Sequence, residues 1–437
     1  MLRVPFIDRK RELKALEGLK GLGIVYGRRR VGKTRLLLEW LRGKKGVFWE
    51  AFVGSWEELS KSFAKTVKRE LEISVAHDLL EALEELEEVG VPIVIDEFQY
   101  VVQADPSVTS KLKLLIDRGM EYPLVLSGSA VSFIERELLG HSSPLFGRRS
   151  LQLKIKPLPF YYAKEFWDMD WEESLKAYAM IGGTPAYLAQ TYSSRSLKDL
   201  ISKAFSYGSP LLEEGDLIFH EESFRRPEVY KRILRALATG YKSPSKLASK
   251  CSLDARSIYY YLEMLEELDI IRYVLPLGRR KGGIVEFVDE YFRFYYSTLV
   301  ELKGAIEAGI NVIDDIEKRV EELISETFER VTEQSLPLLY QLGLIKTKPL
   351  KVGKWWHKGE EIDLVVQDDV STTFIEVKWS ELDEEDERRI LEELKEKARK
   401  SGLMKDSNYF VIVCKRCKGG IELLNALKVA KDKGLEL

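Results

Sequence analysis

At 437 residues the chain is too long for one hydrophobic core, and length alone predicts about three domains. Hydrophobic residues make up 45% and charged residues 32%, with a formal net charge of -3, which excludes a surface that is basic throughout and leaves nucleic-acid contact to local faces. No apolar stretch approaches the ~18 residues that span a bilayer and the first residues lack a signal-peptide core, so no membrane contact and a cytoplasmic location are expected, and three cysteines predict reduced thiols without a disulfide framework.

In chain order, Phe6, Arg9, Glu12 and Leu13 precede an apolar run at 22–26 of the kind that makes a buried strand. It leads into Gly27-Arg28-Arg29-Arg30-Val31-Gly32-Lys33-Thr34 and a helix-like stretch opening on Arg35, which is G-x-x-x-x-G-K-T in its required context. The glycines let backbone N–H groups turn toward an anion, and the helix offers its positive end to the same place. This cradle is expected to bind ATP, with Lys33 on the β- and γ-phosphates and the Thr34 hydroxyl on Mg2+.

Residues 92–95 predict a second buried strand ending in Asp96-Glu97, two carboxylates at the carboxyl edge of a parallel sheet, where α/β folds bind ligands. Asp96 is expected to hold magnesium through water, and Glu97 to orient the attacking water. A third strand at 123–126 ends in Ser127-Gly128-Ser129, where Ser129 either senses the γ-phosphate or makes a plain turn. Arg148 or Arg149, after Gly147, is expected to neutralise γ-phosphate charge, from its own subunit or from a neighbour in a homo-oligomer. The alternative is a solvated surface arginine.

With Ile181-Gly182-Gly183-Thr184-Pro185-Ala186-Tyr187-Leu188, these segments resemble the archaeal ATPase family in the STAND-related branch of AAA+ proteins. The resemblance covers residues 1 to about 210. It implies an α/β AAA+ P-loop core (1–155), residues 6–13 beside adenine, a helical lid (156–225) carrying Pro185 over the nucleotide, and an ATP-driven conformational switch.

From 227 the pattern changes to short helices at 228–239, 243–250 and 254–268, then strands at 270–274 and 284–287 around a basic turn. That order describes a winged helix (226–300). Arg256, Ser257, Tyr259 and Tyr260 fall near the start of the third helix, where a recognition helix meets the major groove. Arg279, Arg280 and Lys281 at the hairpin tip suit phosphates, so DNA is the expected partner and protein docking the alternative. Asp289-Glu290-Tyr291-Phe292-Arg293-Phe294-Tyr295 extends the resemblance, because such a run commonly follows the wing in that family.

The remainder (301–437) reads as a helix at 314–333, strands at 350–356, 361–367 and 372–379, a charged helix at 384–400 and a strand at 409–414. Glu329, Asp363, Glu376 and Lys378 occur in an order that resembles the PD-(D/E)XK superfamily, which implies a restriction-endonuclease-like α/β domain. The residues support it separately. A tight turn at Asp369-Val370 pairs residues whose numbers sum to 739, which sets Asp363 opposite Glu376 with Lys378 on the same face. Opposed carboxylates disfavour a hairpin by roughly 0.2 to 1 kcal/mol, and a divalent cation between them reverses the sign. Asp363 and Glu376 are then metal ligands, Lys378 acts on the phosphate, and Glu329 adds a ligand from the helix. Glu360 and Glu361 crowd Asp363 and supply a second assignment, and an ordinary charged hairpin is the bland alternative. Cys414 and Cys417 have metal-ligand spacing but no second pair, so Cys414 is expected simply to end a buried strand. Two functions remain: an ATP-dependent, DNA-cleaving protein, and a non-nucleolytic regulatory ATPase whose C-terminal parts dock partners.

Overall fold

The apolar runs of the first 157 residues are buried on both faces, and this requires a sheet covered by helices on either side. In the computed structural model, which describes residues 4–221, 224 and 226–437, they form β1 (Leu22–Tyr26), β2 (Val47–Glu50), β3 (Ile93–Asp96), β4 (Leu124–Gly128) and β5 (Arg149–Lys154). The strands are parallel in the order β2-β3-β4-β1-β5. Leu36, Leu37 and Trp40 of the helix Lys33–Leu41 pack with Val25, Val94, Val125 and Ile155 in the core beneath. All five strands point the same way, so Gly27, Glu50, Asp96 and Gly128 gather along one edge. Only glycine fits at 27: its φ is 150°, and a Cβ there would sit 2.3 Å from the Ile155 carbonyl oxygen.

Where four segments were expected, the chain divides into two units, Pro5–Pro157 and the rest from Leu158. The second unit contains helices Pro227–Ala238, Pro244–Lys250 and Ser257–Glu267, then a hairpin of β6 (Ile271–Val274) and β7 (Ile284–Phe287). A 29-residue helix, Ile313–Gln341, follows. It runs past the expected end at 333 and through Pro337, because Leu336, Leu338 and Leu339 are buried on its apolar side. A second sheet, ordered β12-β11-β10-β9-β8, comprises β8 (Lys351–His357), β9 (Glu360–Gln367), β10 (Ser371–Glu381), β11 (Ser407–Arg416) and β12 (Ile421–Glu422), with the helix Glu384–Ser401 between β10 and β11. The β9–β10 pairs are Gln367 with Thr372, Val366 with Thr373, Val365 with Phe374 and Leu364 with Ile375, the register expected from the turn.

One expectation needs correction. Cys414 and Cys417 are joined as a disulfide, which replaces the reduced pair and removes these thiols as metal ligands; Cys251 is free and buried. The β6–β7 loop keeps its basic tip exposed and is anchored on either side of it. The Leu277 amide donates to the Lys354 carbonyl at 2.8 Å, its side chain joins Trp355, Ile362 and Phe374, and the Trp356 indole donates to the Gly282 carbonyl at 3.0 Å.

Buried ion pairs hold the segments of the second unit together. Glu290, 2% exposed, accepts from Arg293 at 2.7 Å, from the Thr327 hydroxyl at 3.0 Å and from Arg330. Arg272 of β6 forks onto Glu333 of the long helix at 2.6 and 2.7 Å and meets Glu286 of β7 at 2.6 Å. Burial alone would push the Glu290 carboxyl up, but Arg293 and Arg330 outweigh it and hold it below its ordinary range. A depressed acid contributes stability above its unfolded value and loses it as pH falls, so this unit should weaken below pH 4.5, the ordinary glutamate value. Glu290→Gln should cost about 3 kcal/mol in urea denaturation at pH 7, because Arg330 loses its ion-pair partner and Arg293 keeps only Glu326. It should also flatten the acid limb.

Candidate functional site

In the first unit the loop after β1 closes on its own lysine. The Lys33 ammonium, 5% exposed, donates to the carbonyls of Gly27 at 2.7 Å and Arg28 at 3.1 Å. Arg28 and Val31 are buried and Arg29 and Arg30 half-buried, while Thr34 and Arg35 open the helix on its exposed side. The Thr34 hydroxyl donates to Asp96 at 2.7 Å, although 62 residues separate them. Glu97, at φ 53°, accepts from the Ser129 hydroxyl at 2.8 Å and from Gln99, both on Oε2. Oε1 is the oxygen left to accept from water. The left-handed backbone at Glu97 costs about 1–3 kcal/mol, which those two donors help to hold.

Gln99 and Glu50 are not marked as site residues by the sequence, whereas Arg9 lies in the leading segment expected beside adenine. Gln99, 3% exposed, stands two residues past Glu97 with no local pattern to show its role. Glu50 lies beside Asp96 in the β2–β3 register, where burial and then the charges of Asp96 and Glu97 push its carboxyl up. Arg9, buried at φ 73°, donates to Glu12 at 3.0 Å, to the Lys156 carbonyl at 2.5 Å and to the Val31 carbonyl at 3.4 Å, which ties the leading segment to the P-loop.

Arg148 and Arg149 are not at this site. Arg149 pairs with Leu22, at the start of β1, about 13 Å along the strand from its carboxyl end. Arg148 forks onto Asp117 at 2.7 and 3.1 Å. Neither arginine reaches a phosphate in its own P-loop, which leaves a neighbouring copy or a plain surface role such as the Arg148–Asp117 pair. Pro185 opens the helix Pro185–Gln190 of the second unit.

The second unit holds the other constellation. Lys378 lies 2.9 Å from Glu376 and 3.9 Å from Asp363, so both carboxylates share one ammonium. Asp363 also accepts the Val377 amide at 2.7 Å, and Lys397 reaches Glu376 at 3.3 Å. Burial, then Glu376 and Glu329, push the Asp363 carboxyl up to about 7. Glu329 and Asp363 line one cavity of about 560 Å3, but Glu329 is paired with Lys354 at 3.2 Å. Among the described residues no three acidic, histidine or cysteine side chains converge as a metal site, and the Glu329 carboxylate is engaged by Lys354. Arg256, Tyr259, Arg279, Arg280 and Lys281 are exposed, and Arg279 contacts His357 at 2.8 Å.

At the P-loop, Lys33→Ala should abolish nucleotide binding in a fluorescent-analogue titration, whereas Glu97→Gln should keep binding and lose about 100-fold or more in turnover. Gln99→Ala should lower kcat about tenfold with little change in KM, since it releases one of two donors that aim the Glu97 carboxylate.

Residues 6–191 match a family profile described as an ATPase domain predominantly from Archaea, and residues 291–390 match one described as archaeal and bacterial proteins of unknown function. The Walker-type ATPase PABY2304 of Pyrococcus abyssi superposes with a TM-score of 0.51 at 22% identity, over 67% of this chain and 96% of that one. The ORC2 protein of Aeropyrum pernix gives 0.42 at 13% identity, over 73% and 96%. The protein MJECL04 of Methanocaldococcus jannaschii is 32% identical over 426 residues, 94% of this chain and 96% of its own. The first unit is a nucleotide-binding ATPase domain of the Walker type. The chain belongs to the family of the M. jannaschii protein, built on the ATPase domain found predominantly in Archaea.

Proposed function

We propose that the chain is an ATP-hydrolysing switch that acts on DNA and cleaves it with a divalent metal held by its second unit. The observation that carries the cleavage reading is the pairing of Asp363 and Glu376 on one lysine, Lys378. Hard oxygen donors of this kind suit magnesium or manganese, and so do Thr34 and Asp96 in the ATPase unit.

For ATP, the Lys33 ammonium neutralises phosphate charge, Thr34 and Asp96 would hold magnesium, which would supply polarisation of the phosphates, and Glu97 Oε1 aligns the attacking water. For DNA, Asp363 and Glu376 would hold the cation, which would supply polarisation of a phosphodiester and activation of water, and Lys378, which engages Glu376, is the group placed to meet the phosphate. The three helices and the β6–β7 hairpin act as a winged helix. Tyr259 and Arg256 face DNA from the third helix, and Arg280 and Lys281 meet its backbone from the anchored loop, where Arg279 is shared with His357.

The capture of Glu329 by Lys354 and of Glu376 by Lys397 favours a second reading, a regulatory ATPase that docks partners without cutting. A plasmid assay with magnesium or manganese separates the two. Asp363→Asn should abolish cutting, Lys378→Ala should keep the metal yet lose cutting, and both should leave ATP hydrolysis near normal. Intact DNA under every metal, with metal binding unaltered by Asp363→Asn, leaves the regulatory reading. In fluorescence anisotropy, neutralising Arg280 and Lys281 should flatten the salt dependence by about one unit of slope for each phosphate that is no longer neutralised.

A further inference from the structure

We propose that Cys414 and Cys417 are a reversible thiol–disulfide site, reduced by a dithiol, whose state sets the grip of the β11–β12 turn on the helix Glu384–Ser401. The disulfide spans a sequence separation of only three, so it constrains the unfolded chain little and is poorly suited to be a global staple. Cys414 is buried in β11, while Cys417 is half-buried and is the more exposed of the two. Lys415, Arg416 and Lys418 flank the pair in sequence and are held in ion pairs with Glu172, Glu381 and Glu384.

What the bond holds is specific. A Cβ on Gly420 would lie 2.8 Å from the Cys417 sulfur and 2.8 Å from the Ile412 carbonyl oxygen, so the turn is closed tightly over the bridge. The next two amides, of Lys418 and Gly419, donate to the two oxygens of Glu387 at 2.7 and 2.8 Å. Glu387 is buried, and without those amides its charge would lack compensation. It belongs to the helix that also carries Lys397, which reaches Glu376 at 3.3 Å. Cys414 is itself the β-sheet partner of Lys378. A bridge between two sulfurs is thus linked through one turn and one helix to the cation that engages Glu376.

The exchange balances with a dithiol as co-reactant. Its thiolate attacks the Cys417 sulfur, a mixed disulfide forms, and the electron pair of the broken S–S bond leaves on Cys414, which takes a proton. The second reductant thiolate then attacks its own sulfur in the mixed disulfide, and Cys417 departs as thiolate and is protonated. Two electrons and two protons reach the protein, and the dithiol leaves as a cyclic disulfide. Without the bridge the turn relaxes and the Lys418 and Gly419 amides leave Glu387.

The consequence for Glu376 rests on the proposed cleavage site; the thiol chemistry does not. The full-length protein is treated with dithiothreitol under native conditions, freed of reductant in acid, and labelled with N-ethylmaleimide in denaturant for mass spectrometry. One adduct, on Cys251, is expected before reduction and three after it. Hydrogen exchange at Lys418 and Gly419 should accelerate about tenfold on reduction and recover on reoxidation, with ATP hydrolysis unchanged. Cys417→Ser should show the fast exchange without reductant. Three adducts before reduction, a bridge that resists dithiothreitol until the protein unfolds, or exchange that ignores the redox state would each overturn the proposal. DNA that stays intact while the thiol results hold would sink only the cleavage reading.

Discussion

A carboxylate taken out of water must be met by a cation or by hydrogen-bond donors, and how fully each one is met separates structure from site throughout this chain. Glu290 is met completely, by two guanidiniums and a hydroxyl, and its carboxyl is held low. Glu387 is met by two backbone amides. These groups fasten one segment to another. Asp363 is met incompletely, by one amide and a lysine 3.9 Å away, and burial leaves its carboxyl raised. Glu50 is raised as well, at the edge where Asp96 and Glu97 already sit. Incomplete neutralisation marks both places where a cation would be welcome.

The two units reach this condition by different routes. In the first, parallel strands deliver their ends to one edge whatever the side chains there, so like charges are forced together and only partly relieved by Thr34, Gln99 and Ser129. In the second, a two-residue turn sets the register, and that register opposes two acids that a stable hairpin would keep apart. Lys378 and Lys397 relieve the repulsion. The same lysines make the arrangement readable either as a resting catalytic pair or as a closed ionic lock.

Much of this was legible in the chain because it depends on neighbours in sequence. The P-loop needs a strand, a glycine turn and a helix in succession, and the β9–β10 register needs only a short turn. What was not legible depends on partners far along the chain. Glu50 carries no motif and meets Asp96 only through the β2–β3 pairing. Arg148 and Arg149 follow a glycine in a suggestive place, but the pairing of Arg149 with Leu22 sends them to the edge away from the P-loop. Lys354 claims Glu329 across the second unit, and Leu277 pins the base of a loop whose tip stays exposed. The long helix passes Pro337 because burial on its apolar side outweighs one missing backbone donor.

The central claim is that the chain carries two separate divalent-cation sites, one belonging to the nucleotide and one to the Asp363–Glu376 pair. Counting bound manganese by electron paramagnetic resonance, with and without a non-hydrolysable ATP analogue, tests it most directly. The account predicts a nucleotide-dependent site lost in Asp96→Asn and a nucleotide-independent site lost in Asp363→Asn. A single site that disappears with Asp96→Asn, and is untouched by Asp363→Asn, would contradict it.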